Sequence, residues 1–272
     1  LNNLSGALGG GALYVKRDDC TGLAMGGNKA RQLEYYFGEA LQQQSDTILI
    51  TGAVQSNFVR MAAAAAAKLG LDCHIQLEER VGDTGTDYRQ SGNVLLDRLL
   101  GATLHTYPQG EDEDGADANL KRIADQLRAA GRQPYIIPLA PGHPPLGALG
   151  YVRAASELVG QLKDLEDEID HIFVASGSGS THAGLLFGLR SLNWLKPVIG
   201  VCVRRDQSSQ QQRKMFGMLH LKHPHDQLIF EHHPHIRVEN NLTSQFLCDQ
   251  FHNFYPKHTD YHKNHMILFV YL

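Results

Sequence analysis

Short apolar, β-rich runs alternate with stretches of helical period along the first three quarters of this chain. Thr47-Ile48-Leu49-Ile50-Thr51 reads as a strand closed by Gly52. Residues 61–69 are nearly all alanine, a strong helix former slim enough to pack closely on a sheet. A strand follows at His74-Ile75-Gln76-Leu77, then a helix over 91–100 and a strand over 103–106. A helix over 118–130 and a strand at Tyr135-Ile136-Ile137 come next. Beyond the Pro/Gly-rich residues 138–147, the pattern predicts a helix over 148–162, a strand at Ile172-Phe173-Val174-Ala175, a helix over 182–191 and a strand over 198–203. Strands alternating with helices imply βα units and a mainly parallel sheet, with 138–147 as the crossing between two such units.

The pattern stops near Asp206. Residues 1–205 hold 26 of the 27 glycines and every alanine, whereas 206–272 contain one glycine, no alanine and 10 of the 15 histidines. A βα architecture draws on glycine at its turns and on small residues where helices meet the sheet. The tail is therefore expected to be foreign to the fold, through a shifted reading frame or an equivalent replacement. Such a tail leaves a sheet short of strands, with an unpaired edge and apolar surface exposed.

Composition narrows the class. A chain of 272 residues fits two modest domains, and 42% hydrophobic with 20% charged residues marks a globular rather than a disordered chain. The net charge of −4 and a pI near 6.4 argue against a nucleic-acid partner, which would call for clustered Lys and Arg. No apolar run approaches the ~20 residues that cross a bilayer, so no membrane partner is expected. The start, Leu1-Asn2-Asn3-Leu4, has neither a signal-peptide pattern nor an initiator methionine, and the chain is expected to lack its true beginning. Cys20, Cys73, Cys202 and Cys248 are far apart and form no Cys-x-x-Cys pair, which favours reduced thiols over a disulfide framework or zinc knuckle. A cytoplasmic enzyme or binding protein is the class that remains.

Three loops could carry chemistry. In Met25-Gly26-Gly27-Asn28-Lys29-Ala30-Arg31, two glycines lead into a helical pattern that runs to Leu41. A lysine in the first turn of a helix sits in a positive field that lowers its pKa and suits a Schiff-base nucleophile. Read alone, Lys29 is otherwise a solvated surface residue. The second loop, Gly52-Ala53-Val54-Gln55-Ser56-Asn57, lies between a strand and the alanine helix, where ligands of α/β sheets bind. Gln55, Ser56 and Asn57 beside a helix start suit a carboxylate, while Ser56 or Asn57 could equally serve as a plain N-cap. The third, Ser176-Gly177-Ser178-Gly179-Ser180-Thr181-His182-Ala183-Gly184, opens a helix with glycines and hydroxyls. It suits a phosphate and departs from the dinucleotide Gly-x-Gly-x-x-Gly fingerprint. Glu111-Asp112-Glu113-Asp114 reads as a solvated loop, and His223-Pro224-His225 with His233-Pro234-His235 lacks the partners of a metal site; no metal is expected.

Taken in order, these loops resemble the pyridoxal-phosphate-dependent family of 1-aminocyclopropane-1-carboxylate deaminase and D-cysteine desulfhydrase. The resemblance runs from Tyr14-Val15-Lys16-Arg17-Asp18-Asp19 through Gly26-Gly27-Asn28-Lys29, Gln55-Ser56-Asn57 and Ala66-Lys68-Leu69-Gly70. It continues through Gly92-Asn93, Gly147-Ala148-Leu149-Gly150-Tyr151 and the 176–184 loop to about Arg205. It implies a two-domain α/β fold of open parallel twisted sheets with flanking helices, the tryptophan-synthase-like fold type II, with an incomplete C-terminal part. The implied cofactor is pyridoxal 5'-phosphate, joined as a Schiff base to Lys29 with Asn28 beside it. Its phosphate would lie on Gly177, Ser178, Gly179, Ser180 and Thr181, and Asn57 would face its phenolic oxygen. Ser56, with Gln55 and Asn57, would hold the carboxylate of a small amino-acid substrate. The implied reaction is β-elimination, D-cysteine to pyruvate, hydrogen sulfide and ammonia first. Deamination of aminocyclopropane carboxylate and desulfonation of L-cysteate are siblings, and a homodimer is the implied assembly. A catalytically inactive cofactor-binding remnant is the reading from another class.

The chain departs from the family pattern at Gln32, where a lysine is usual, at Phe58, where a polar residue is usual, and at Pro141-Gly142-His143-Pro144, which replaces Gly-Gly-Ser-Asn. The family's opening Pro-Thr-Pro-Leu and its closing segments, with their tyrosines and the hydroxyl that meets the pyridine nitrogen, have no counterpart. The expected division is a large cofactor domain of 1–46 and 151–205, a small domain of 47–150, and a His-rich tail of 206–272. With that tail, weak cofactor binding and little turnover are expected.

Overall fold

The computed structural model describes residues 1–9, 11–82, 84–110, 112–139, 143–165, 168–203, 206–212 and 267–271. In chain order its helices and strands are α1 (Asn2–Leu8), β1 (Leu13–Arg17), α2 (Lys29–Gln42), β2 (Thr47–Ala53), α3 (Asn57–Leu69), β3 (Asp72–Glu78), α4 (Thr86–Gln90) and α5 (Gly92–Leu99). Then come β4 (Thr103–Tyr107), α6 (Glu113–Ala129), β5 (Pro134–Ile137), α7 (Leu149–Leu162), β6 (His171–Ser176), α8 (Ser180–Ser191), β7 (Val198–Cys202) and β8 (Ile267–Tyr271). They fall into two units, Asp19–Gly150, and Leu1–Asp18 with Tyr151–Leu272.

The Asp19–Gly150 unit is built on a parallel sheet of order β4-β3-β2-β5. Its central strand β2 is buried at every position but the last, as a parallel strand covered on both faces should be. Alternation assigns the faces. Ile48 and Ile50 share a core with α2 and α3, while Leu49 packs with Leu120, Ile123 and Ala124 of α6. Each of the isoleucine and leucine side chains among them contributes about 1.5–3 kcal/mol on removal from water. The alanine run keeps α3 slim, and Ala62 through Ala66 are all buried. The first boundary lies at 18/19 rather than the expected 46/47. The reason is α2, whose Leu33, Tyr36, Phe37 and Ala40 join the core of Ile48, Ile50 and Ile75. The acidic stretch is also not a plain loop, because α6 starts at Glu113. Asp112 caps it, accepting the Gly115 N–H at 2.9 Å, and Glu113 and Asp114 fill the first turn, where the helix dipole favours carboxylates.

The other unit carries a parallel sheet of order β1-β8-β6-β7. Ile172 and Val174 of β6 face α7 and α8 in a core with Tyr151, Leu158, Leu185 and Leu189, while Phe173 packs with Leu13 on the opposite face. Helices α7 and α8 meet at Gly188, where an added Cβ would stand 2.7 Å from that of Ala155. Strand β8 corrects the expectation that everything beyond Asp206 is foreign to the fold. Ile267-Leu268-Phe269-Val270-Tyr271 is a continuous apolar run, the pattern of a parallel strand flanked on both sides, and it pairs with β1 and β6 at once. Gln210 adds a second link, its Nε2 donating to Ser176 Oγ at 2.9 Å. The His-Pro-His pairs and Cys248 lie outside the described residues.

Candidate active site

Lys29 opens α2 after four consecutive residues with positive φ, Ala24 (44°), Met25 (69°), Gly26 (79°) and Gly27 (131°). That left-handed run is costly for Ala24 and Met25, and backbone strain of this kind gathers at functional sites. Two devices hold it. Thr21 Oγ1 donates to the Gly27 carbonyl and accepts the Gly27 N–H, both at 2.9 Å. Gly26 runs so close to Asp19 that a Cβ would lie 1.8 Å from the Asp19 carbonyl oxygen. The glycines therefore serve close backbone approach, and Asn28, buried, occupies the cap position of α2. At the far side of the helix, Gly147 and Gly150 let the chain press on α2. A Cβ on Gly150 would stand 2.0 Å from the Arg31 carbonyl oxygen, and one on Gly147 would stand 2.6 Å from the Tyr36 ring. The Gly-Ala-Leu-Gly motif is thus a seat for the helix that carries the lysine.

The Lys29 amine is half-buried, and this burial lowers its pKa to about 8. On the order of one amine in ten is then unprotonated at neutral pH, far more than for an exposed lysine. Its Nζ lies 5.4 Å from the centroid of the Phe58 ring. Phe58, a departure from the family pattern, therefore lines the lysine and contributes to its dry surroundings. Gln32 is buried within α2.

Phe58 belongs to the first turn of α3, and this brings Lys29 together with the second loop. Ser56 is the N-cap of α3, accepting the Phe58 N–H at 3.2 Å. An acceptor bond leaves the hydroxyl proton of Ser56 to donate elsewhere, so capping and ligand binding are compatible. Gly52 makes room, since a Cβ there would stand 2.9 Å from Val59 and 3.0 Å from Ser56 Oγ. Gln55 is engaged differently from its expected substrate role. Its Nε2 donates to the carbonyls of Tyr88 (2.5 Å) and Ser91 (3.1 Å), and its Oε1 accepts the Asn93 N–H at 2.9 Å. Gln55 thereby ties the loop to α5. Asn57 lies exposed, with Oδ1 accepting from Arg60 and from Asn93. Arg60 was not singled out in the sequence, and Asn93 entered only as part of the Gly92-Asn93 motif, without a role.

The third loop belongs to the other unit. It links β6 to α8, with Gly179 as N-cap in the left-handed region (φ 92°) and no side chain capping the helix. Thr181 is buried in the first turn and Ser178 and Ser180 flank the cap. A twelve-residue helix that begins on glycine presents backbone N–H groups and a positive end, the usual setting for phosphate. His182, buried in α8, has its Nδ1 3.3 Å from Ser176 Oγ and sits on Gly200, where a Cβ would stand 2.3 Å from the ring. Among the described residues, no group of three or more His, Cys, Asp or Glu could hold a metal ion, and no helix is long and apolar enough to cross a membrane.

A family model described as pyridoxal-phosphate dependent enzyme matches residues 1–229. The chain belongs to this family. The match continues beyond Arg205, where the motif resemblance ends. The D-cysteine desulfhydrase of Salmonella typhi is 43% identical over 204 residues, which are 75% of this chain and 61% of that protein. The chain thus spans about three fifths of the length of the curated relatives it matches. A solved ACC deaminase homologue is 38% identical with a TM-score of 0.69, covering 81% of this chain and 65% of that one. Apo diaminopropionate ammonia lyase from Escherichia coli, 17% identical, has a TM-score of 0.63 and covers 99% of this chain and 80% of its own, which speaks to the fold alone. Both structures agree with an α/β fold built on flanked parallel sheets.

Proposed function

We propose that this chain is a pyridoxal-phosphate-dependent lyase that eliminates a β-substituent from a small amino acid, D-cysteine first. The observation that carries the proposal is Lys29, a half-buried amine with its pKa brought down to about 8 at the start of α2. The 43% identity to D-cysteine desulfhydrase supports the choice of substrate.

The residues present fit the cofactor. In the Asp19–Gly150 unit, Lys29 offers an amine that reacts with an aldehyde, with Asn28 beside it, and Asn57 offers an exposed amide that suits a phenolic oxygen; in the other unit, Gly177–Thr181 offers an uncapped helix start that suits a phosphate. When bound, pyridoxal phosphate supplies an electron sink for the carbanion left at the substrate Cα. The chain's own residues orient and move protons. Ser56 donates its hydroxyl proton to the substrate carboxylate, and the positive end of α3 favours that same charge. Lys29, as a neutral amine, would serve as the base for the Cα proton. Loss of the Cα proton and of HS⁻ from Cβ, with hydrolysis by one water, gives pyruvate, hydrogen sulfide and ammonia. A cytoplasmic homodimer is the setting we propose, on the strength of the family resemblance.

The test is to incubate the loaded chain with D-cysteine and measure pyruvate and sulfide. Release of both supports the proposal; retention of cofactor without either product favours the inactive remnant. The 38% identity to an ACC deaminase homologue favours a second reading, ring-opening deamination of aminocyclopropane carboxylate, which yields 2-oxobutanoate in a parallel reaction. L-Cysteate serves as the third arm. In the active chain, Ser56→Ala should lower kcat/KM by about 10-fold or more while the cofactor absorption stays unchanged, because the hydroxyl serves the substrate. Loss of the cofactor band in that variant would contradict the role.

A further inference from the structure

Arg60 is a buried cation of α3, 6% exposed, that donates with Nη1 to two neighbouring amides. Its Nη1 lies 2.8 Å from Asn57 Oδ1 and 2.8 Å from Asn93 Oδ1. Asn93 Nδ2 in turn donates to Asn57 Oδ1 at 2.9 Å and to the Gln55 carbonyl at 2.8 Å. The chemistry of this triangle decides which way each amide points. A guanidinium has donors and no acceptor, so the atom of Asn57 that faces it must be the oxygen, and likewise for Asn93. An asparagine amide otherwise has two orientations differing by a half-turn, equal in shape and opposite in hydrogen-bonding sense. With Oδ1 engaged twice from below, Asn57 Nδ2 is left without a hydrogen bond to any described residue, on an exposed side chain.

The charge that does the orienting has its own support. Asp97 of α5 is fully buried, neither of its carboxylate oxygens has a hydrogen-bond partner among the described residues, and its field opposes the desolvation of Arg60. Burial pushes the Asp97 carboxyl up to about 7 while Arg60 draws it down, so α5 sets beside the Arg60 cation of α3 a carboxyl that is about half ionised at neutral pH.

We propose that Arg60 and Asn93 are positioning residues that fix the Asn57 amide with its N–H groups outward. Position 57 then offers a ligand a hydrogen-bond donor, which suits the phenolic oxygen of pyridoxal phosphate and rejects a donor group in its place. This rests on the proposal that Asn57 faces the cofactor.

The cofactor-free full chain is titrated with pyridoxal phosphate, and Kd and the absorption maximum are read for Asn57→Ala, Arg60→Met and the double variant. Each single change is expected to raise Kd about 10-fold and to move the absorption maximum, and the double should be no worse than either. Arg60→Lys, which keeps the charge and the donors, should stay near the parent. Because Arg60→Met removes the cation that favours the ionised form of Asp97, Arg60→Met/Asp97→Asn is titrated alongside and in its place if the single variant does not fold, with the same expectations. If the effects of positions 57 and 60 multiply, Arg60 merely supports the fold and the proposal is overturned while the cofactor reading stands. If Asn57→Ala leaves both Kd and absorption unchanged, the cofactor reading itself fails, and the proposal with it.

Discussion

Lys29→Met is expected to abolish covalent attachment of pyridoxal phosphate and to leave the cofactor-free chain at least as stable as the parent. Both effects have one origin. Burial lowers the pKa of the Lys29 amine to about 8, which makes it a nucleophile and makes its charged form costly in the folded state. Methionine fills the same space without the charge, so the cost disappears together with the chemistry. The sign of the pH dependence follows. The folded pKa lies below the unfolded value of ~10.4, so between the two the unfolded chain binds more protons and stability rises with pH. Below about pH 8 the cost is present in full. The parent chain should therefore gain stability from about pH 8 upward in thermal unfolding, and Lys29→Met should lack that share of the rise. Borohydride reduction followed by peptide mapping locates the adduct. A reduced adduct on another lysine of the variant would sink the assignment, and an unfolded variant would mean that the amine is structural.

The strand and helix order was legible because parallel strands flanked on both sides have a simple signature. β2 is buried at nearly every position and fills its middle with Ile48, Leu49 and Ile50, and the alanine helix needs small side chains where it meets β2 and β3. Boundaries were less legible. The unit border depends on which core α2 joins, a matter of packing that Leu33, Tyr36 and Phe37 decide only once Ile48 and Ile50 are beside them. The start of α6 was read late because an acidic run looks like solvated loop, although carboxylates are the residues a helix start favours.

The site was legible where one residue type can do one job. A lysine after two glycines, and hydroxyls with glycines at a helix start, each point to a short menu of chemistry. Gln55 was not legible, because an amide beside Ser56 and Asn57 looks like a ligand group until Tyr88, Ser91 and Asn93 are brought to it by α4 and α5. Arg60 was hidden for a related reason. In an alanine-rich helix it reads, like Lys68, as a solvent-facing charge, whereas it is buried on the amides of Asn57 and Asn93.

Phe269→Pro is expected to destabilise the unit that holds β6 by about 3 kcal/mol or more, a large share of the ~5–15 kcal/mol by which ordinary domains are stable. The argument uses the backbone alone. In β8, Phe269 stands in register between Val15 of β1 and Phe173 of β6, so the strand has a neighbour on each side. Proline lacks the N–H that a ladder requires and is tolerated in sheets only at edges and bulges. Composition missed this strand because a shortage of alanine and glycine disfavours turns and helix packing, while a strand needs β-branched and aromatic residues, which Ile267–Tyr271 has. A proline at Leu195, in the exposed turn after α8, provides the control for a change outside the sheets. A large drop in Tm for Phe269→Pro with little change for the control places the last residues of the tail among the supports of the fold. An unchanged Tm for Phe269→Pro would restore the tail as foreign to the fold, and with it the expectation of weak cofactor binding and little turnover.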